Sequence, residues 1–90
     1  MKPAIRDRLR EELRSRGFKD SGDSPHGTMT LDEDYLDAVA LSDLLDMMVS
    51  RREKFFRSEQ AVGPDIAKKG YDDVVLVIEA TKLVVEEYCR

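Results

Sequence analysis

The stretch AVALSDLLDMMV, residues 38 to 49, is apolar on almost every side when it is wound as a helix. It lies inside a longer helical pattern that runs from Thr30 to Ala61. The start of that pattern is marked, because Thr30 suits the capping position and Glu33 follows three residues later, as in a capping box. A helix that is apolar over so much of its circumference is normally buried by more than one neighbour. We therefore expect a long central helix whose neighbours come from the rest of the chain or from a second copy.

A second long helix is predicted after the turn signal Gly63-Pro64. The run VVLVI, residues 74 to 78, has the composition of a buried strand. However, charged residues recur through this segment at three- and four-residue spacing, and the chain offers no other strand to pair with it. We predict that residues 30–90 form a long antiparallel helical hairpin.

A short basic helix is predicted for residues 1–17. Gly17 suits the left-handed position just past its end, and Phe18 is expected to fold back on Leu13 as in a Schellman motif. The apolar stripe of this helix is thin. Residues 18–29 contain glycine, proline and several small polar residues, so they are predicted to form a flexible loop that tethers the helix as an arm.

The overall composition indicates a single small domain over residues 1–90, with 41% hydrophobic and 38% charged residues. The one cysteine, Cys89, can form no internal disulfide, which fits a reducing compartment. No apolar run approaches the roughly 20 residues that a membrane span needs. These features predict a soluble, cytoplasmic protein that does not enter a membrane.

The predicted fold class is therefore all-α, with three helices: the N-terminal helix on its loop and the two helices of the hairpin. A chain of this size buries only roughly 60 to 65% of its unfolded surface, so its core is marginal without assembly. We expect a homodimer with a four-helix core, or a protein partner that covers the remaining apolar surface. The candidate interface residues are Leu36, Ala40, Leu44, Met47, Val75 and Leu83.

Motifs for catalysis, cofactor binding or metal binding are not found in the sequence. His26 is the only histidine, it lies in the predicted loop, and no carboxylate or thiol stands at a sequence spacing that would orient it. The acidic residues near position 33 are explained as charges at a helix N-terminus. We predict a non-enzymatic protein with no catalytic residues, no cofactor and no metal.

Charge is unevenly distributed along the chain and supports two alternative functions. Residues 1–19 carry seven Lys or Arg against three acids, and residues 20–48 carry eight acids without a cation. A nucleic-acid-associated protein would use the first helix and the basic cluster at residues 51–57. Its candidate phosphate contacts are Lys2, Arg6, Arg10, Arg14, Arg51 and Arg52. Alternatively, the acidic band at residues 20–46 would inhibit a nucleic-acid-binding protein by imitating its ligand.

The sequence favours a third function over both: a protein–protein interaction or oligomerisation module that acts as a regulator or assembly adaptor. The apolar surface of the two long helices is the feature that indicates it.

Overall fold

The computed structural model describes residues 1–57 and 63–88, and this part of the chain is mostly helical. Its helices are α1 (Pro3–Ser15), α2 (Glu33–Ala38), α3 (Leu41–Arg57) and α4 (Pro64–Tyr88). No strand occurs in the described ranges, and residues 74 to 78 are helical as predicted. The all-α class is therefore confirmed. The predicted end of the central helix at Ala61 and the cysteine at position 89 lie outside the described residues.

The central helix begins later than predicted. Asp32, rather than Thr30, is the N-cap of α2, and its carboxylate accepts a hydrogen bond of 2.8 Å from the Tyr35 amide. Thr30 is engaged elsewhere, because its hydroxyl donates to the Asp23 carboxylate at 2.7 Å. An aspartate at this position satisfies one of the amide groups that have no partner within the first turn.

The prediction of one continuous central helix is wrong, because the helix is interrupted between α2 and α3. Val39 is extended, with φ −99° and ψ 144°. The amino group of Met1 donates to the carbonyl oxygens of Asp37 and Val39, both at 2.8 Å, and so satisfies acceptors that the break leaves without helical partners. A contact from a distant part of the chain thus stabilises the end of α2. The break allows Leu36 and Leu41 to be buried on either side of it.

The hydrophobic core is formed by side chains from all four helices and from the segment between α1 and α2. Its buried members are Leu9, Leu13, Phe18, Met29, Leu31, Leu36, Leu41, Leu44, Met48, Val74, Val77, Ile78, Ala80 and Val84. Helices α3 and α4 pack along each other, and α1 covers another side of α4. Helix α4 is therefore the central element of the described fold.

Helix α1 ends in the Schellman motif that the sequence predicts. The amides of Gly17 and Phe18 donate to the carbonyl oxygens of Arg14 and Leu13, each at 3.0 Å. Leu13 and Phe18 are both buried, so the end of α1 is anchored in the core. The helix is docked against α2 and α4 rather than held out as an arm. Whether the following loop is flexible stays a prediction.

Gly70 on α4 lies against the Phe55 ring of α3. A Cβ atom placed on Gly70 would lie 2.6 Å from Cζ of the Phe55 ring. Glycine inside a helix costs about 1 kcal/mol relative to alanine, so its presence at this position needs a packing reason. The ring of Phe55 supplies that reason.

We expect the substitution Gly70→Ala to lower the free energy of unfolding by about 1 to 2 kcal/mol, measured by urea denaturation. Overpacking costs about 1 to 3 kcal/mol, which outweighs the gain in helix propensity. In a Phe55→Leu background the same substitution should be neutral or stabilising, because the ring that it meets is absent. An equal cost in both backgrounds would show that the Phe55 contact is not the reason for glycine.

Candidate functional site

Asp73 is the centre of a polar network that joins the loop between α1 and α2 to α4. Its side chain is fully buried within the fold. The Thr28 hydroxyl donates to one carboxylate oxygen at 2.6 Å, and Nδ1 of His26 lies 2.8 Å from the other. Because a buried carboxylate is costly unless it is hydrogen-bonded, these donors explain how Asp73 is accommodated. The network fixes the position of residues 24–28 on α4.

Asp73 thus orients His26, although no carboxylate stands at a sequence spacing that predicts this contact. Asp73 lies 47 residues further along the chain, so no local sequence pattern shows the pairing. An ionised carboxylate only accepts hydrogen bonds, so Nδ1 carries the proton in this pair and Nε2 is directed elsewhere. The His26 side chain is 39% exposed, so the imidazole connects a buried charge to the protein surface.

Ser24 completes the residue types of a hydrolase triad, but the geometry differs from that of a triad. Its hydroxyl oxygen is buried and accepts hydrogen bonds from the amides of Thr28 at 2.9 Å and Met29 at 3.2 Å. The hydroxyl helps to lower the pKa of Asp73, whereas a nucleophilic serine would lie against Nε2 of the histidine. Ser24 therefore shapes the turn and supports the carboxylate, and the arrangement does not supply an activated nucleophile.

The ionisation of Asp73 reflects two opposed influences. Burial raises its pKa, and hydrogen bonds from Thr28, Ser24 and His26 lower it; the net result is a pKa below the ordinary value. Asp73 is therefore ionised at neutral pH, and the network keeps its full set of charge-assisted hydrogen bonds.

An open cleft of about 290 Å³ adjoins this network. Residues 28–31 form one wall, and Tyr35, Met48 and Arg51 line the rest. Thr28 belongs both to the cleft wall and to the Asp73 network. The network thus positions one wall of the cleft, and Arg51 is the charged side chain in its lining.

Arg8 of α1 and Arg16, the residue that caps the end of α1, are paired with acids of α4. Arg8 lies 2.8 Å from Glu87 and 2.6 Å from Glu12, and Arg16 lies 3.4 Å from Glu79. These pairs show that α1 runs antiparallel to the C-terminal half of α4. Hydrogen bonds to Glu87 and Glu12 raise the pKa of Arg8 above its ordinary value, so this side chain stays charged.

The other face of α1 is paired with acidic groups of the predicted acidic band. The ion pairs join Arg6 to Asp37 at 2.7 Å, Arg10 to Glu33 at 3.6 Å and Arg14 to Asp20 at 3.5 Å. Three of the predicted phosphate contacts thus have intramolecular carboxylate partners. Lys2, Arg51 and Arg52 form no ion pair with any residue in the described ranges. The acidic band is correspondingly less available to a basic partner.

The six predicted interface residues do not form one surface. Leu36 and Leu44 are fully buried within the single chain, so they cannot contact a partner in this conformation. Their burial corrects the prediction, and the reason is that α2 and the start of α3 turn these side chains toward the core. Ala40 is exposed and Met47 is 39% exposed. Val75 and Leu83 are half-buried.

Another group of exposed side chains occurs where α3 approaches the start of α4. We call this group the basic end; it consists of Lys54, Ile66, Lys68, Lys69 and Tyr71, all of them exposed. The contact of Phe55 with Gly70 brings these parts of the two helices together. Ile66 is 63% exposed and Tyr71 is 37% exposed. The salt bridges among described residues involve none of the three lysines.

Comparison with protein-family models, curated proteins and solved structures finds no match. The described helices include none with the length and apolar character needed to cross a membrane. In residues 1–57 and 63–88, no three His, Cys, Asp or Glu side chains gather as a set of metal ligands. Function must therefore be inferred from the chain's own surfaces.

Proposed function

We propose that this chain is a small, non-enzymatic protein-interaction module that acts in the cytoplasm as a regulator or assembly adaptor. Its partner is an acidic protein surface that binds the basic end. The observation that carries this proposal is the exposure of Ile66 beside lysines that have no ion pair in the described chain.

The combination of charges and apolar groups supports a protein partner. Single exposed apolar residues are common on protein surfaces, but Ile66 and Tyr71 are accompanied by three lysines that form no ion pair with the described residues. Apolar contacts contribute affinity, whereas complementary charges increase the association rate and select the partner. The cations of α1 are already paired with carboxylates of the same chain, so the basic end is the more available positive surface.

The antiparallel hairpin of α3 and α4 and the homodimer are parts of this proposal. The contact between Phe55 and Gly70 supports close pairing of the two helices. A second copy would have to use the exposed or half-buried members of the predicted interface, which are Ala40, Met47, Val75 and Leu83. Sedimentation velocity at micromolar concentration tests the dimer, and a single monomeric species would exclude it.

We expect the double substitution Lys68→Glu/Lys69→Glu to abolish capture of the partner by the immobilised protein from nuclease-treated cell extract. Charge reversal at an interface converts attraction into repulsion and lowers the association rate. Lys2→Glu/Lys82→Glu is the matched control, because it reverses two exposed lysines outside the basic end. The substitution Ile66→Ser should weaken capture without changing net charge.

The captured protein is then purified and its affinity measured at several salt concentrations. The proposal requires that it bind the wild type and the control and lose affinity for the charge-reversed variant. Chemical cross-linking followed by mass spectrometry should place its contact with the basic end at acidic residues of the partner. Equal binding to both double variants, or a neutral binding face on the partner, would contradict the proposal.

Nucleic-acid binding is the second candidate function. Arg51 and Arg52 favour it, because neither forms an ion pair with a residue in the described ranges. The α1 arginines would have to break intramolecular ion pairs in order to contact phosphate. Fluorescence anisotropy with a short single-stranded DNA tests this candidate. Affinity that falls steeply with salt and that is lost in Arg51→Gln/Arg52→Gln would support it. Absence of binding at low salt would exclude it.

A further inference from the structure

The wall of the cleft contains a short extended segment that is paired on one edge only. The Leu31 amide donates to the Gly22 carbonyl oxygen, and the Ser24 amide donates to that of Met29, both at 2.9 Å. These bonds form an antiparallel bridge around Thr30. The amide and carbonyl of a residue at this position of an antiparallel pair point to the opposite edge. Those of Thr30 make no hydrogen bond to residues in the described ranges.

Thr30, Tyr35 and Arg51 line one cleft, so a cation and an apolar side chain share it with the residue that carries the unpaired edge. Arg51 lines the same cleft as Thr30 and has no carboxylate partner in the described chain. Tyr35, which is half-buried, supplies apolar surface in the same cleft. The volume of about 290 Å³ lies near the lower limit of ligand sites, which is about 300 Å³. The cleft thus combines a main-chain donor and acceptor, a guanidinium group and an apolar contact.

We propose that the cleft binds an extended peptide segment that carries a carboxylate. The peptide main chain pairs with the amide and carbonyl of Thr30, which extends the antiparallel pair by one strand. The carboxylate pairs with the Arg51 guanidinium, and an apolar side chain of the peptide rests on the half-buried ring of Tyr35. This site goes beyond the proposed function, because it shares no residue with the basic end and its test does not depend on the partner captured there.

The experiment uses two-dimensional amide NMR of the full chain with synthetic peptides as probes. Acetyl-Val-Glu-Val-amide carries its carboxylate on a side chain, and acetyl-Val-Val carries it at the C-terminus. Acetyl-Val-Gln-Val-amide is the neutral control.

At least one acidic peptide should bind with a dissociation constant on the order of millimolar, since few contacts are involved. The bound peptide should shift the Thr30 amide resonance and slow its hydrogen exchange. The neutral peptide should bind about tenfold more weakly, because it lacks the charge-assisted hydrogen bond.

Two substitutions separate the main-chain contact from the charge. Arg51→Gln should weaken binding of the acidic peptide about tenfold and remove the preference over the neutral peptide. Thr30→Pro removes the amide donor that the described fold leaves unused, and it should abolish binding. Thr30→Val is its control, because both variants lose the hydroxyl bond to Asp23 while valine retains the amide. Thermal unfolding and the amide spectrum establish that both Thr30 variants are folded.

Several results would overturn the proposal. One is the absence of amide resonance shifts at residues 28–31 with both acidic peptides. The peptide concentration for this test is 10 mM, on the order of several times the expected dissociation constant. Another is equal affinity for the acidic and neutral peptides. A third is a response to inorganic phosphate that matches the peptide response while the Thr30 amide remains unprotected, which would indicate an anion site without strand pairing. If Thr30→Pro fails to fold, the wild type supplies the test. A hydrogen-exchange rate of the Thr30 amide that does not change when peptide is added would then overturn the proposal.

Discussion

Replacing Asp73 with asparagine is expected to lower the free energy of unfolding by about 2 to 4 kcal/mol. Asparagine has nearly the same shape, but its amide NH2 group replaces one of the two carboxylate oxygens that accept hydrogen bonds. The hydroxyls of Thr28 and Ser24 and Nδ1 of His26 then compete for one remaining acceptor. A chain of this length has a total stability of roughly 5 to 13 kcal/mol, so the loss would be a large fraction of it.

Chemical denaturation of both proteins measures this effect, and Asp72→Asn is the matched control. Asp72 neighbours Asp73 on α4 and is half-buried, and its carboxylate accepts no hydrogen bond from a described residue, so its substitution should change stability by less than about 0.5 kcal/mol. A double-mutant cycle with His26→Gln should give a coupling energy above about 0.5 kcal/mol. Equal effects of the two asparagine substitutions would show that the network does not stabilise the fold.

The difference in stability between the wild type and Asp73→Asn should also depend on pH in a defined direction. The pKa of Asp73 in the folded chain lies below its ordinary value, which is about 3.9 in an unfolded chain. A group with a lowered pKa contributes stability that is fully present above the unfolded pKa and is lost as pH falls through the folded pKa. The difference between wild type and Asp73→Asn should therefore be constant near neutral pH and should shrink below about pH 4. A difference that grows on acidification would contradict this ionisation.

Features that depend on local chemistry were predictable from the sequence. The Schellman motif follows from the order Leu13, Gly17 and Phe18, because a residue with positive φ must follow the helix and an apolar residue then returns to it. The helical state of residues 74–78 follows from charged residues at helical spacing. The composition of this run alone would have given a strand, so periodicity was the more informative signal.

Features that depend on distant contacts were not predictable. The break at Val39 has no proline or glycine to mark it, and the acceptors that it exposes are satisfied by the amino group of Met1. The pairing of His26 with Asp73 likewise spans 47 residues. One signal was present in the sequence: Asp73 lies on the face of α4 that carries apolar residues, and a buried carboxylate needs hydrogen-bond donors from elsewhere in the fold.

The substitution Gly22→Ala is expected to have the other large effect, a loss of about 3 to 5 kcal/mol in the free energy of unfolding. Gly22 has φ +94°, a conformation that is strained for any residue with a side chain. A Cβ atom at this position would also lie 2.5 Å from the carbonyl oxygen of Leu31 and 2.8 Å from the amide nitrogen of Asp32. Both atoms belong to the backbone, so no side-chain rotation can relieve the contact.

Gly27→Ala is the control that separates backbone strain from steric contact. Gly27 has φ +69°, but a Cβ atom there would meet nothing within 4 Å, so alanine should cost only about 1 to 2 kcal/mol. The larger loss in Gly22→Ala would arise because Leu31 and Asp32 must move, and with them a buried core side chain and the N-cap of α2. The amide resonances of residues 28–35 should therefore shift in Gly22→Ala, since one wall of the cleft is displaced. Equal losses of stability in the two variants would mean that the close approach of Gly22 to Leu31 contributes nothing.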